Sequence, residues 1–193
     1  MSNRYLEREV KFKLNNFEEL EKILQLLRKQ GQEIISWFFE KNLVLDDFKG
    51  SLQKKGVLLR LRQDKKARIT LKLPVQNNSS EFKEKWELEV EVSDFASMQD
   101  IFKELGFRVS FSYEKFRTIW KIQEVLVCLD ILPFGFFLEL EGKNLKTVAK
   151  NLGFSWENAI IDNYFTLSKK SKEQRLVFNS QEKAFFQQKI FDF

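Results

Sequence analysis

Histidine is absent from the 193 residues, and cysteine occurs once, at Cys128. The first absence removes imidazole acid–base catalysis, Ser-His and Cys-His nucleophilic arrangements, and zinc sites of the usual histidine type. Any catalysis must use carboxylates, lysines, arginines, tyrosines or a metal. A single thiol allows no disulfide framework within the chain and fits a reducing cytoplasm. Cys128 stands in an apolar run and reads as core, not as a nucleophile. No apolar run is long enough to span a membrane, and Met1-Ser2-Asn3-Arg4 leads into a strand without a signal-peptide core, so a cytoplasmic location is expected. No long block of one charge sign occurs: 33 Lys and Arg stand against 28 acids, a net +5 that is well mixed along the chain. That balance suits an anionic small molecule, and neither nucleic acid nor a membrane is expected as a partner. Oligomeric state stays open between monomer and homodimer.

What is present is a core and a recurring strand pattern. Hydrophobic residues make up 43% of the chain and phenylalanine supplies 21 residues, read as core filling. The length suits one domain with an appendage. The domain is expected over residues 1–169, and residues 170–193 read as an amphiphilic, helical tail that docks on the body or on a partner. Strands are expected over 5–14, 33–46, 57–62, 67–73, 85–92, 113–120, 125–132 and 136–141. Asn15-Asn16 can cap a helix stopped by Gly31, and Ser93-Asp94 a helix stopped by Gly106. Two short helices are expected near 145–152 and 156–169.

Side chains alternate across a strand. In the first strand Glu7, Glu9 and Lys11 therefore share one face, and Val10, Phe12 and Leu14 the other. The pattern recurs with Arg60 and Arg62, Lys72, Glu87 and Glu89, Lys115 and Arg117, Asp130, and Glu139 and Glu141. One explanation is an open antiparallel sheet with one wet face. Another is a closed barrel with its charged faces inward. Like charges two residues apart on a strand repel unless a counter-ion lies between them. A divalent cation would answer the glutamate pairs, and a polyphosphate the arginine and lysine pairs.

Glu7-Arg8-Glu9-Val10-Lys11 resembles the Glu-x-Glu-x-Lys signature of the CYTH family, the triphosphate tunnel metalloenzymes. That family takes in class IV adenylate cyclases, thiamine triphosphatases and inorganic triphosphatases. The remaining charged residues fall in family order, and the resemblance covers roughly residues 4–168. It implies an α+β fold: an eight-stranded antiparallel β-barrel, the triphosphate tunnel, with helices packed outside. It implies that Glu7, Glu9, Glu139 and Glu141 hold Mg²⁺ or Mn²⁺, with Asp130 as a further ligand. Lys11, Arg60, Arg62, Lys72, Lys115 and Arg117 would grip the triphosphate, Lys72 being also a candidate general base. Glu87 and Glu89 would support these bases or bind a second metal. The chain departs from the family at Val44-Leu45-Asp46, where many members carry a tyrosine two residues before the aspartate, and at Asp162-Asn163-Tyr164, where many carry a basic residue, Ser and Tyr.

The expected activity is metal-dependent hydrolysis of inorganic triphosphate, or of the triphosphate of a nucleotide or thiamine. Cyclisation of ATP to cyclic AMP with release of pyrophosphate is the alternative on the same clamps. Non-catalytic binding of a polyphosphate or nucleotide is a third reading, against which the acidic pairs argue.

Overall fold

The computed structural model describes residues 4–76 and 81–191. Residues 77–80, Met1-Ser2-Asn3, Asp192 and Phe193 lie outside the described residues. The strands are β1 (Tyr5–Leu14), β2 (Gln32–Asp46), β3 (Leu58–Gln63), β4 (Ala67–Pro74), β5 (Lys83–Val92), β6 (Arg108–Ile122), β7 (Val125–Leu132) and β8 (Gly135–Gly142). The helices are α1 (Phe17–Gln30), α2 (Ser51–Lys54), α3 (Phe95–Glu104), α4 (Leu145–Asn151), α5 (Tyr164–Lys170) and α6 (Ser180–Phe191). The eight strands hydrogen-bond into a closed antiparallel ring in the order β1-β5-β4-β3-β2-β6-β7-β8.

By packing, the described chain forms two compact units. The first takes residues up to 7, 40–80 and 84–113. Its core is Leu43, Leu45, Leu59, Leu61 and Phe102, with Ile69, Leu71, Phe95 and Phe107 against them. These are the alternate residues of β2, β3 and β4, covered by α3. Asp94 starts α3 by accepting from Ser97 N at 2.6 Å. Asp46 ends β2 and caps α2, its carboxylate accepting from Leu52 N at 2.9 Å and Gln53 N at 3.0 Å.

The second unit takes residues 8–39, 81–83 and 114–193. Here Val10, Phe12 and Leu14 of β1 pack with Leu138 and Leu140 of β8 and Val127, Leu129 and Ile131 of β7. Leu20, Ile23, Leu24 and Leu27 of α1 cover them. Asn16 caps α1 by accepting from Glu19 N at 2.9 Å, while the Glu19 carboxylate accepts from Asn15 N at 2.7 Å. Gly142 closes β8 at φ +133, where a Cβ would stand 2.6 Å from the Glu124 carbonyl oxygen, so no larger residue fits.

Two stretches differ from the sequence expectation. β6 begins at Arg108 rather than at 113; it neighbours β2 in the ring, and Ser110 Oγ donates to Val44 O of that strand at 3.1 Å. The helix expected over 156–169 is instead a 3-10 turn, Trp156–Asn158, followed by α5. Ile160 forms a two-way main-chain bridge with Lys11 of β1, at 2.9 and 2.8 Å, which holds it extended. Asn163 then starts α5, accepting from Thr166 N at 2.8 Å. Beyond α5 the chain runs to α6 along β6, with Glu114 N donating to Leu176 O at 2.8 Å and Phe178 N donating to the Glu114 carboxylate at 3.2 Å. Phe178 and Ile190 enter the core, and the Phe186 ring meets Phe17, Phe116, Phe136 and Phe178. Among the described residues no helix is long and apolar enough to cross a membrane.

Candidate functional site

In the second unit the strand face turned from the core is charged. Antiparallel register sets Lys11 of β1 opposite Glu139 of β8, Glu9 opposite Glu141, and Arg117 of β6 opposite Asp130 of β7. Lys11 Nζ lies 2.6 Å from Glu9 Oε1 and 3.0 Å from Glu139 Oε2, so one ammonium bridges two carboxylates. Lys83 also pairs with Glu9. Arg117 holds Asp130 with both arms of its fork, Nε and NH2 each at 2.6 Å, and reaches Glu139 at 2.9 Å. Lys115 Nζ stands 3.4 Å from Asp130. Asp130 is 0% exposed and takes a further bond from the Tyr164 hydroxyl at 2.5 Å.

The electrostatics follow from burial and pairing. Burial opposes charge on Lys11, but Glu139 and Glu9 outweigh it and lift its pKa above the ordinary lysine value. Burial would likewise raise the Glu139 pKa; Arg117, Lys11 and Lys115 hold it well below the usual carboxylate range. Burial, with Asp130 and Glu139 beside it, raises the Tyr164 pKa well above its ordinary value. Cys128 is buried, as expected of a core thiol, and it shares the face of β7 that carries Asp130, opposite Glu139 in the register. Burial pushes its thiol up to about 12, with Arg117 opposing and Glu139 adding.

The first unit carries a second charged group. Lys72 of β4 lies opposite Glu87 of β5, and Thr70 opposite Glu89. Lys72 Nζ reaches the Glu7 oxygens at 2.6 and 2.5 Å. It also lies 2.7 Å from Glu87 Oε2. Burial opposes ionisation of Glu87, but Lys72 and Arg60 together lower its pKa. Arg62 NH2 donates to Glu89 at 2.9 Å. Arg60 donates to the Tyr113 hydroxyl and to Thr70 Oγ1, both at 3.2 Å. Burial opposes its charge too, and Tyr113, Glu40 and Glu87 overcome that and raise its pKa. The Nε atoms of Arg60 and Arg62 are buried and find no acceptor among the described residues.

Each expected site residue therefore lies in one of two groups: Glu7, Arg60, Arg62, Lys72, Glu87 and Glu89 in the first unit, and Glu9, Lys11, Lys115, Arg117, Asp130, Glu139 and Glu141 in the second. Among the described residues no three acidic or thiol side chains stand together as a ready metal cage. The reason is visible: ammonium and guanidinium groups sit between the carboxylates. The donor set still suits a hard cation, since Glu9, Glu139 and Glu141 are oxygen donors on neighbouring strands and Glu139 is held ionised. Sequence reasoning missed Glu40, Asn42, Lys83 and Tyr113. Glu40 and Asn42 share a face of β2 with Val44, a parity that could have found the first two. At Val44 the missing tyrosine leaves an apolar residue opposite Arg60, and it is Tyr113 that reaches this arginine.

The CYTH domain family matches residues 6–183. A protein of Methanocaldococcus jannaschii, provisionally named an adenylate cyclase, is 27% identical over 176 residues, covering 84% of this chain and 98% of its own. A crystal structure from Vibrio parahaemolyticus, also provisionally named an adenylate cyclase, superposes with a TM-score of 0.71 at 17% identity, over 85% of this chain and 98% of that one. A Hippeastrum protein, provisionally an adenylyl cyclase and described as having a dominant triphosphatase activity, superposes with a TM-score of 0.60 at 15% identity, over 85% of this chain and 95% of that one.

Proposed function

The chain belongs to the CYTH family, and from that premise we propose that it is a divalent-metal-dependent triphosphate hydrolase. Its substrate would be inorganic triphosphate, or the triphosphate of a nucleotide or of thiamine. The observation that carries this reading is the buried Arg60 Nε, which has no hydrogen-bond acceptor among the described residues, beside Arg62 Nε, whose one carboxylate neighbour, Asp64, stands 3.7 Å away and makes no hydrogen bond to it. A buried guanidinium donor is costly to leave unpaired, and phosphate oxygens are the acceptors its planar fork matches. Family members are generally metal-dependent. Glu9, Glu139 and Glu141, with Glu7 and Asp130 as further oxygen donors, would hold Mg²⁺ or Mn²⁺, which supplies charge neutralisation at phosphate oxygens.

The chain's own residues do the rest. Lys11, which lies between Glu9 and Glu139, would offer its ammonium to a phosphate oxygen of the substrate. Lys115 and Arg117 do the same from β6, and Arg60, Arg62 and Lys72 grip from β3 and β4. These cations stabilise charge on the transferred group. Lys72 is proposed to act as a neutral amine, passing its own proton to Glu7 or Glu87 and then taking one from the attacking water, with Glu87 and Glu89 supporting the bases. A cytoplasmic location fits a lone, buried thiol.

The name of the Methanocaldococcus relative favours a second reading, conversion of ATP to cyclic AMP and pyrophosphate. The deciding experiment incubates the protein with Mn²⁺ and, separately, ATP, inorganic triphosphate and thiamine triphosphate, and identifies the products by chromatography. Orthophosphate is expected; cyclic AMP as the main product from ATP would establish the second reading instead.

A further inference from the structure

Asn42 belongs to no motif in the sequence, yet it is 0% exposed on the charged face of β2. Its amide nitrogen donates to Glu40 Oε1 at 2.9 Å, the orientation favoured by a carboxylate that has Arg62 3.9 Å away. The other amide atom, Oδ1, is buried and has no hydrogen-bond partner among the described residues. Buried amide oxygens in folded proteins are nearly always paired. One left without a donor marks a place where a donor from a bound molecule fits.

The neighbours say what kind of molecule brings it. Asn42 lies opposite Arg62 in the β2–β3 register, and Val44 lies opposite Arg60. Side chains so opposed start about 5 Å apart. The Nε donors of Arg60 and Arg62 call for anionic oxygens, while one strand away Asn42 calls for a hydrogen-bond donor. Behind it the Glu40 carboxylate stands 3.9 Å from Arg62. Ionised, metal-bound inorganic triphosphate presents oxygens alone. It can satisfy the guanidinium groups, but it offers Asn42 nothing and is repelled by Glu40. A ribonucleoside triphosphate carries both chemistries, because the donors nearest its phosphates are the sugar hydroxyls.

We infer that Asn42 is a specificity-determining residue, whose Oδ1 accepts a sugar hydroxyl of a ribonucleoside triphosphate while Arg60 and Arg62 hold its phosphates. Glu40 acts through Asn42 as a positioning residue, fixing which way the amide points. The inference rests on the triphosphate reading above and narrows it to one substrate class.

The test is calorimetric, so that it does not depend on which reaction follows. Dissociation constants are measured with Mn²⁺ or Ca²⁺ present for ATP, 2′,3′-dideoxy-ATP and inorganic triphosphate. The wild type is expected to bind ATP about tenfold more tightly than the dideoxy analogue, the size of one hydrogen bond to a buried acceptor. Asn42→Leu, similar in volume but without the acceptor, is expected to erase that difference and to leave inorganic triphosphate within about twofold. A circular dichroism melt checks that the variant is folded. Equal affinity of the wild type for ATP and its dideoxy analogue overturns the inference even if the variant fails to fold, since water then suffices for Oδ1. An equal loss on all three ligands in Asn42→Leu also overturns it, leaving Asn42 a structural residue. If the wild type binds none of the three, the triphosphate reading itself falls and takes the inference with it.

Discussion

Arg60 of β3 and Lys72 of the neighbouring β4 are proposed to differ in role, although both are buried cations beside carboxylates. Arg60 uses two nitrogens on neutral oxygens, and its buried Nε, without a hydrogen-bond acceptor among the described residues, is the atom proposed to meet phosphate. Arg60→Ala is therefore expected to raise KM roughly 10- to 100-fold, as about 1.5–3 kcal/mol for hydrogen bonds to a charged group implies, with kcat little changed. Lys72→Ala should instead lower kcat and leave some metal-dependent turnover; steady-state kinetics of the two variants separates the roles. If Lys72→Ala changes only KM, Lys72 is a clamp and not a base. Cys128 gives a pH signature. Its thiol is pushed up to about 12 in the fold against an ordinary value of 9.0. An acid whose folded pKa is raised costs nothing below the lower value. Between pH 9.0 and about 12 the unfolded thiol ionises and the folded one does not, so stability falls as pH rises, by about 1.4 kcal/mol per pH unit. Urea unfolding of wild type and Cys128→Ala at pH 8 and pH 10.5 should show a steeper loss in the wild type. Parallel losses would mean that the thiol is not held neutral.

Among the elements, the C-terminal segment shows how far a helix can matter without carrying a site residue. Phe178 is 7% exposed and anchors the segment to β6, next to the stretch that presents Lys115 and Arg117. Phe178→Ala is expected to cost about 3 kcal/mol, the low end for a buried phenylalanine, read as a shift of the urea midpoint without a change in slope. A shift smaller than a few tenths of a kcal/mol would show the segment to be loosely held. Elements with strong alternation or a clear cap were legible in the sequence. β1, β4, β7 and α1 lie where periodicity and Asn16 or Gly31 put them. The start of β6 was not legible, because Ser110 joins the sheet through a long-range bond to Val44 that no local pattern announces. Nor was the break before α5, which depends on Ile160 meeting Lys11 nearly 150 residues earlier in the chain.

For the molecule as a whole, charge alternation made the polar face readable, because a period of two leaves little choice of side, while closure into a ring was implied only by the family resemblance. The partners of each charge were not readable. Whether Lys11 meets Glu9, Glu139 or both depends on register, and register is a property of two strands at once. The same pairing shapes the response to metal. Chelator is expected to abolish turnover, and Mn²⁺ to restore it, in wild type. In Glu9→Gln roughly a hundredfold of activity should stay lost at saturating Mn²⁺ with the fold intact, on the scale of removing one electrostatic contact at a reacting group. Full activity in that variant would take Glu9 out of the metal site. Closure of the sheet has a further consequence, for self-association. An open sheet ends in strands whose free amide and carbonyl groups template the addition of further chains, and β-branched and aromatic sequences are the most prone to it. This chain is rich in phenylalanine, yet its strands form a closed ring in which each has a neighbour on both sides. Fibril growth by strand addition would first have to open the ring, so aggregation should track global unfolding and not precede it.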